Sequence, residues 1–302
     1  MNTTFTNTLK TLALGLVMAA SVHSAMATPI THTYVSSMGS DGNACTHASP
    51  CATFQGALAK TSPGGVVTAI DAGDYGQVTS IAHAVTIDGT GTQASIVTNN
   101  STDAIAISAP AAETVILRHI TLTGLPGSSS GIDLFTGALV VDDCKISGFS
   151  SVGAVGIHVL GGSVIVTNTT ITGCYEAVAN SALGLLSLRN VALLKNEYGL
   201  VTYGGSADIS HSLISQNDID GLFASGGSST LSVSNCMISG NATAVSASSG
   251  AVVRLTGNDL FNNTVGLETN GGAGIVSTAG NNHKAGSTTP GAPTPGKVIV
   301  TQ

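Results

Sequence analysis

Tryptophan is absent from this chain and charge is scarce. Asp, Glu, Lys and Arg make up 8% of the 302 residues, where an ordinary soluble domain carries roughly 25%. The 9 Lys and Arg are scattered, and against 16 Asp and Glu they leave a net charge of −7. No basic stripe exists to neutralise phosphates, which excludes nucleic acid as an expected partner. Beyond the extreme N-terminus, no apolar run approaches the roughly 18 residues that a membrane span requires. Disorder is excluded as well, because apolar residues reach 42% and disordered chains combine low hydrophobicity with many charges. Neither Cys-x-x-Cys nor a Cys/His ligand spacing occurs, so no metal site and no cofactor is expected.

What is present begins with an export signal. Lys10 precedes an apolar stretch from Leu12 to Ala20, followed by small residues ending in Ala25-Met26-Ala27. A basic residue, a short apolar core and an A-x-A site describe a secretory signal peptide over residues 1–27. The expected location is periplasmic or extracellular, with no membrane span after cleavage. Export brings cysteines into an oxidising compartment. Cys45 and Cys51 bracket a short loop containing Pro50, and a disulfide is expected there. Cys144, Cys174 and Cys236 are read as buried apolar fillers.

The main signal is a repeat. Segments such as LVVDDCKISG (139–148), VIVTNTTITG (164–173) and LSVSNCMISG (231–240) recur along the chain. They place one aliphatic column in register: Leu122, Ile146, Ile171, Leu193, Ile214, Ile238 and Leu260. A second column reads Ile132, Ile157, Val178, Leu200, Leu222, Val245 and Leu267. Apolar and polar residues alternate within each unit, which is strand periodicity. A unit of about 22 residues cannot bury its apolar face alone, so neighbouring units must stack on one core. Leucine-rich repeats need a fixed frame that is missing, and propeller blades need roughly 40 residues. The remaining solution is all-β: a right-handed parallel β-helix.

Corners and ends follow from that geometry. A polar column, His119, Asp143, Asn168, Asn190, His211, Asn235 and Gly257, is expected to be structural, stacking at an inward corner as in Asn ladders. Gly131, Gly156, Gly199, Gly221 and Gly266 are expected to supply positive φ angles. Thr53 is placed to start a short N-terminal capping helix reaching about Lys60. The expected divisions are an N-terminal cap over 28–65, coils over 66–280 and an extended tail over 281–302.

The segment YVSSMGSDGNACTHASPCATFQGALAKTSPGG (34–65), followed by coils and a GNNHKAG (280–286) tail, resembles exported bacterial right-handed parallel β-helix repeat proteins. These belong to the broad pectate-lyase-like superfamily. The resemblance covers the mature chain and implies the fold, while the reaction stays open. Pectate lyases of this fold place Ca²⁺ among carboxylates and use a basic Arg or Lys. Their Arg pair and Trp-containing segment are missing, and Arg118 is read as a surface partner of Asp142 one coil away. Polygalacturonases cluster carboxylates for acid–base work. Asp142, Asp143 and His158 are weak counterparts, since Asn-Thr-Asp and Arg-Ile-Lys do not occur.

A better constellation lies along one edge of the middle coils: Tyr175, Glu176, Glu197, Tyr198, Asp218 and Asp220. Tyrosine rings stack on sugars, and carboxylates accept sugar hydroxyls or hold a hard cation. The preferred reading is therefore an exported binding or surface-interaction solenoid, monomeric, with a polysaccharide or cell-surface glycan as partner. The alternative is a polysaccharide lyase or hydrolase acting on polyuronates.

Overall fold

The computed structural model describes residues 30–98, 102–181, 184–270 and 273–299. The signal peptide expected over 1–27 lies outside them. The chain winds as a right-handed parallel β-solenoid of about nine turns with roughly 23 residues per turn. Among the described residues, three parallel sheets of 11, 10 and 9 strands run along its length. Each coil visits them in order, as in Ala138–Asp142 (first sheet), Lys145–Ser147 (second) and Val155–Val159 (third).

Both aliphatic columns pair residue on residue. Leu122 through Leu260 are consecutive register partners in the second sheet. Ile132 through Leu267 do the same in the third. All fourteen side chains are buried and belong to one continuous core. Burying a Leu or Ile side chain contributes about 2 kcal/mol, and no single coil could keep its row from water.

The first corner departs from expectation. His119, Asp143, Asn168, Asn190, His211 and Asn235 have φ between 50° and 56°, and they point to solvent. Their residue types reflect tolerance of left-handed backbone, which Asn, Asp and Gly accept most readily. The inward polar ladder sits at the second corner and uses other residues. Asn196 Nδ2 donates to Asn217 Oδ1 (3.1 Å), Asn217 to Asn241 (2.8 Å) and Asn241 to Asn263 (2.9 Å). Each amide also reaches a carbonyl of the preceding coil.

The glycines expected to provide positive φ do not have it. Gly199 is small for a different reason: a Cβ there would lie 2.3 Å from the Gly221 carbonyl oxygen. Arg118 is in register with Asp142, but its guanidinium pairs with Asp88 at 2.8 Å.

Cys45 and Cys51 form a disulfide. Cys144, Cys174 and Cys236 are free and buried. The Cys236 thiol donates toward the Ile209 carbonyl (3.6 Å), the role that Asn258 Nδ2 plays one coil later toward Val233 (2.9 Å). Burial pushes the Cys144, Cys174 and Cys236 thiols up to about 12, 12 and 11, so they are inert as nucleophiles.

At the N-terminal end a five-residue helix, Phe54–Leu58, starts from Thr53, whose hydroxyl accepts from the Gly56 N–H. Phe54, Ala57 and Leu58 are its buried residues. At the other end, isolated parallel bridges join Thr289 to Val265 and Val298 to Thr278.

Candidate functional site

Three successive strands of the third sheet, Glu176–Asn180, Tyr198–Thr202 and Asp220–Ser225, carry Glu176, Tyr198 and Asp220 of the candidate residues. Their register sets Glu176, Tyr198, Asp220 and Thr243 in one row across the coils. The row corrects the grouping read from the sequence by one position, since Asp218 and Glu197 lie on the corner before it. Tyr175, also at that corner, meets Tyr198 edge to face with ring centroids 5.7 Å apart. The structure thus gathers all six expected residues along one edge.

It also adds residues that spacing does not reveal. Tyr203, 47% exposed at the end of its coil, donates from Oη to Glu176 Oε1 at 2.7 Å. On the preceding coils, Asp133 is in register with His158, and Nδ1 of the ring is 3.7 Å from Asp133 Oδ1. His158 Nε2 lies 3.0 Å from Ser181 Oγ. Asp133 is 8% exposed, and its buried Oδ1 has no hydrogen-bond partner.

Burial acts on the acids of this face in a common sense. It pushes Asp133 up to about 6, with the nearby Asp103 charge adding to the effect. Burial likewise raises Asp220 to about 6, against a hydrogen bond from Thr243 and helped by the Glu268 charge. Glu176 is raised by burial and partly restored by the Tyr203 hydroxyl. His158 is lowered, again chiefly by burial. Both shifts are set chiefly by desolvation, which disfavours the charged form of each group.

Acids elsewhere behave differently. At Asp41, Asp71 and Asp88 burial pushes upward too, but hydrogen bonds outweigh it and leave each below its ordinary value. Asp142 is held low, first by the Thr167 hydroxyl. Asp142 ends a first-sheet strand, and Asp143 lies at the solvent corner beside His119 (3.2 Å). Neither joins His158, so that expected trio is not assembled. Carboxyls strongly perturbed by burial along one face mark a functional-site candidate.

A groove of about 760 Å³ runs along the first corner, lined by Asn168, Asn190, His211 and Met237 among others. Within it Asn190 Nδ2 donates to Asn168 Oδ1 (2.7 Å), and Asn168 Nδ2 to Asp142 Oδ1 (2.8 Å). Among the described residues, no three His, Cys, Asp or Glu side chains converge in a way that could hold a metal ion.

Residues 116–288 match a family described as right handed beta helix region. No curated protein matches the sequence. Among solved structures, pectate lyase Pel9A superposes with a TM-score of 0.70 at 12% identity, covering 91% of this chain and 79% of that one. An alginate lyase from Paenibacillus sp. str. FPU-7 gives 0.57 at 14% identity, over 89% of this chain and 100% of that one. Full-length tailspike protein 2 from Escherichia coli O157:H7 bacteriophage CAB120 gives 0.57 at 12% identity, over 74% of this chain and 35% of the tailspike. At such identities the likeness is one of fold.

Proposed function

The chain belongs to the right handed beta helix family, and on that premise we propose that it is an exported glycan-binding solenoid. The binding surface is the outer face of the third sheet, from Asp133 to Asp220. One observation carries this reading: Tyr175, Tyr198 and Tyr203 share that face with the three carboxyls that burial raises, Asp133, Glu176 and Asp220. Flat rings provide a platform for sugar faces, and desolvated carboxyls are strong acceptors for hydroxyls. Two of the similar structures are named as lyases of pectate and alginate, which supports a carbohydrate ligand by analogy of fold.

The accompanying proposals are a leader over 1–27, release to the periplasm or exterior, and a monomeric mature chain. The Phe54–Leu58 helix with its disulfide loop closes one end of the solenoid, within a cap over 28–65. The tail over 281–302 covers the other end. Closed ends keep strand edges from self-association.

Glycan-array binding of the purified protein tests the reading, with Tyr198→Ala and Tyr203→Ala as face variants. Binding that both variants weaken supports it; binding that neither alters refutes it. A second reading, polysaccharide turnover, draws on Asp133, whose value near 6 suits general acid–base work. An assay for reducing ends and unsaturated products separates the two, since turnover on any polysaccharide favours the enzyme.

A further inference from the structure

Resting on the glycan-binding reading, we propose that the ligand is a neutral glycan, and that Asp133 with His158 forms a hydroxyl-recognising subsite for it. The first support is the sign of the charge. Strands of the third sheet carry Asp133, Glu176, Asp220 and Glu268, and among the described residues none of these strands holds Lys or Arg. A polyuronate bears a carboxylate on every sugar. Laid along this face it would set like charges against one another in a partly desolvated setting, with no guanidinium or ammonium on the strands themselves and the nearest ammonium, Lys195, at the corner before Tyr198. Neutral sugars present hydroxyl donors, which these acceptors need.

The second support is independent of charge. Asp133 Oδ1 is buried without a hydrogen-bond partner, although Ser130 and Asp103 engage the same carboxyl, and unsatisfied buried polar atoms are uncommon because each costs its lost hydration. The His158 ring, 3.7 Å away, is too distant to satisfy it. Phe135, two residues along the same strand and 43% exposed, adds an aromatic surface. A sugar hydroxyl donating to the accessible edge of the Asp133 carboxyl would supply the donor that His158 does not, with the ring packed on Phe135. Glu176, Tyr198 and Tyr203 lie on later coils. A chain of several sugars running along the solenoid axis would reach both subsites.

Isothermal titration with purified mature protein at neutral pH tests this. The probes are xylo-, cello- and manno-hexasaccharides, oligogalacturonate and oligoalginate, each with and without added Ca²⁺. The expected result is binding of a neutral series and none of either uronate. Asp133→Asn should weaken that binding roughly tenfold or more, the loss of a hydrogen bond to a charged acceptor. Asp142→Asn, off the face, should leave it unchanged. Circular dichroism and a melting curve confirm folding, and Asp133→Glu replaces Asp133→Asn if the latter misfolds. Uronate binding, with or without Ca²⁺, overturns the neutral class while leaving the face. Neutral binding that Asp133→Asn does not change overturns the subsite while leaving the face. Absence of binding to every probe removes the glycan reading itself.

Discussion

The Tyr203 hydroxyl donates to Glu176 Oε1 at 2.7 Å across 27 residues of sequence. It ties the end of one coil to the outward carboxyl of the coil before, and it opposes the upward push of burial on Glu176. Tyr203→Phe is expected to drive the Glu176 carboxyl further above its ordinary value. Carbon-detected NMR titration of the carboxyl reads this directly, and an unmoved titration would contradict the assigned contact.

Stability should depend on pH in an unusual sense. Asp133 and Asp220 titrate near 6 in the folded chain against an ordinary 3.8. Between about pH 4 and 6 the folded state retains protons that the unfolded state has released, so stability falls as pH rises and levels off above 6. Asp41, Asp71, Asp88 and Asp142, held low, lose their contribution only as pH drops below about 4. His158, lowered by burial, works in the opposite direction below pH 6.5. Melting temperatures of the wild type and of Asp133→Asn/Asp220→Asn separate these effects. The double variant should gain stability relative to wild type at pH 7.5 and not at pH 4; an equal difference at both would refute the assignment.

The two polar corners should respond unequally to truncation. Asn217→Ala removes the acceptor of Asn196 and two donor bonds within a buried ladder, at a cost of about 3 kcal/mol. Asn190→Ala, at the solvent corner with φ 54°, should cost about 1 kcal/mol through backbone strain, and Asn190→Gly should recover it. Urea denaturation of the three variants checks the order, and equal losses would contradict it.

These corners also mark what the sequence makes legible. Leu122 and Ile132 are readable as column members because successive coils repeat their type and stacking forces the pairing, which the structure extends back to Ile96 and Ile105. The polar column is equally visible, but composition does not tell an outward left-handed turn from an inward ladder, since both favour Asn. The true ladder, Asn196 to Asn263, is hidden because the same position holds Cys174 in the preceding coil. At the site, Tyr175, Tyr198 and the acids are close in sequence and thus apparent. Tyr203 and Asp133 are not, because a contact 27 residues away and the burial of one carboxyl depend on coil length and packing. Gly199 shows the same limit: its role is close approach to Gly221, which no local turn pattern announces.

The Cys45–Cys51 bridge closes a short loop beside the Phe54–Leu58 helix. Replacing both cysteines by Ala should cost about 2 kcal/mol in the chain-entropy account. Reducing and non-reducing melts of the wild type should differ in the same direction. Identical melts would show that the loop is held by its other contacts, such as Asn43 Nδ2 to the Pro50 carbonyl (2.8 Å).

The glycan face and the first-corner groove compete as the place where a ligand rests, and hydroxyl-radical footprinting reads both at once. Tyr203 lies on the face and Met237 on the groove, each 47% exposed. With a bound neutral oligosaccharide, Tyr203, Tyr198 and Tyr175 should be protected from oxidation while Met237 stays fully reactive. Protection of Met237 with unchanged tyrosines would place the ligand on the other side of the coil and contradict the account.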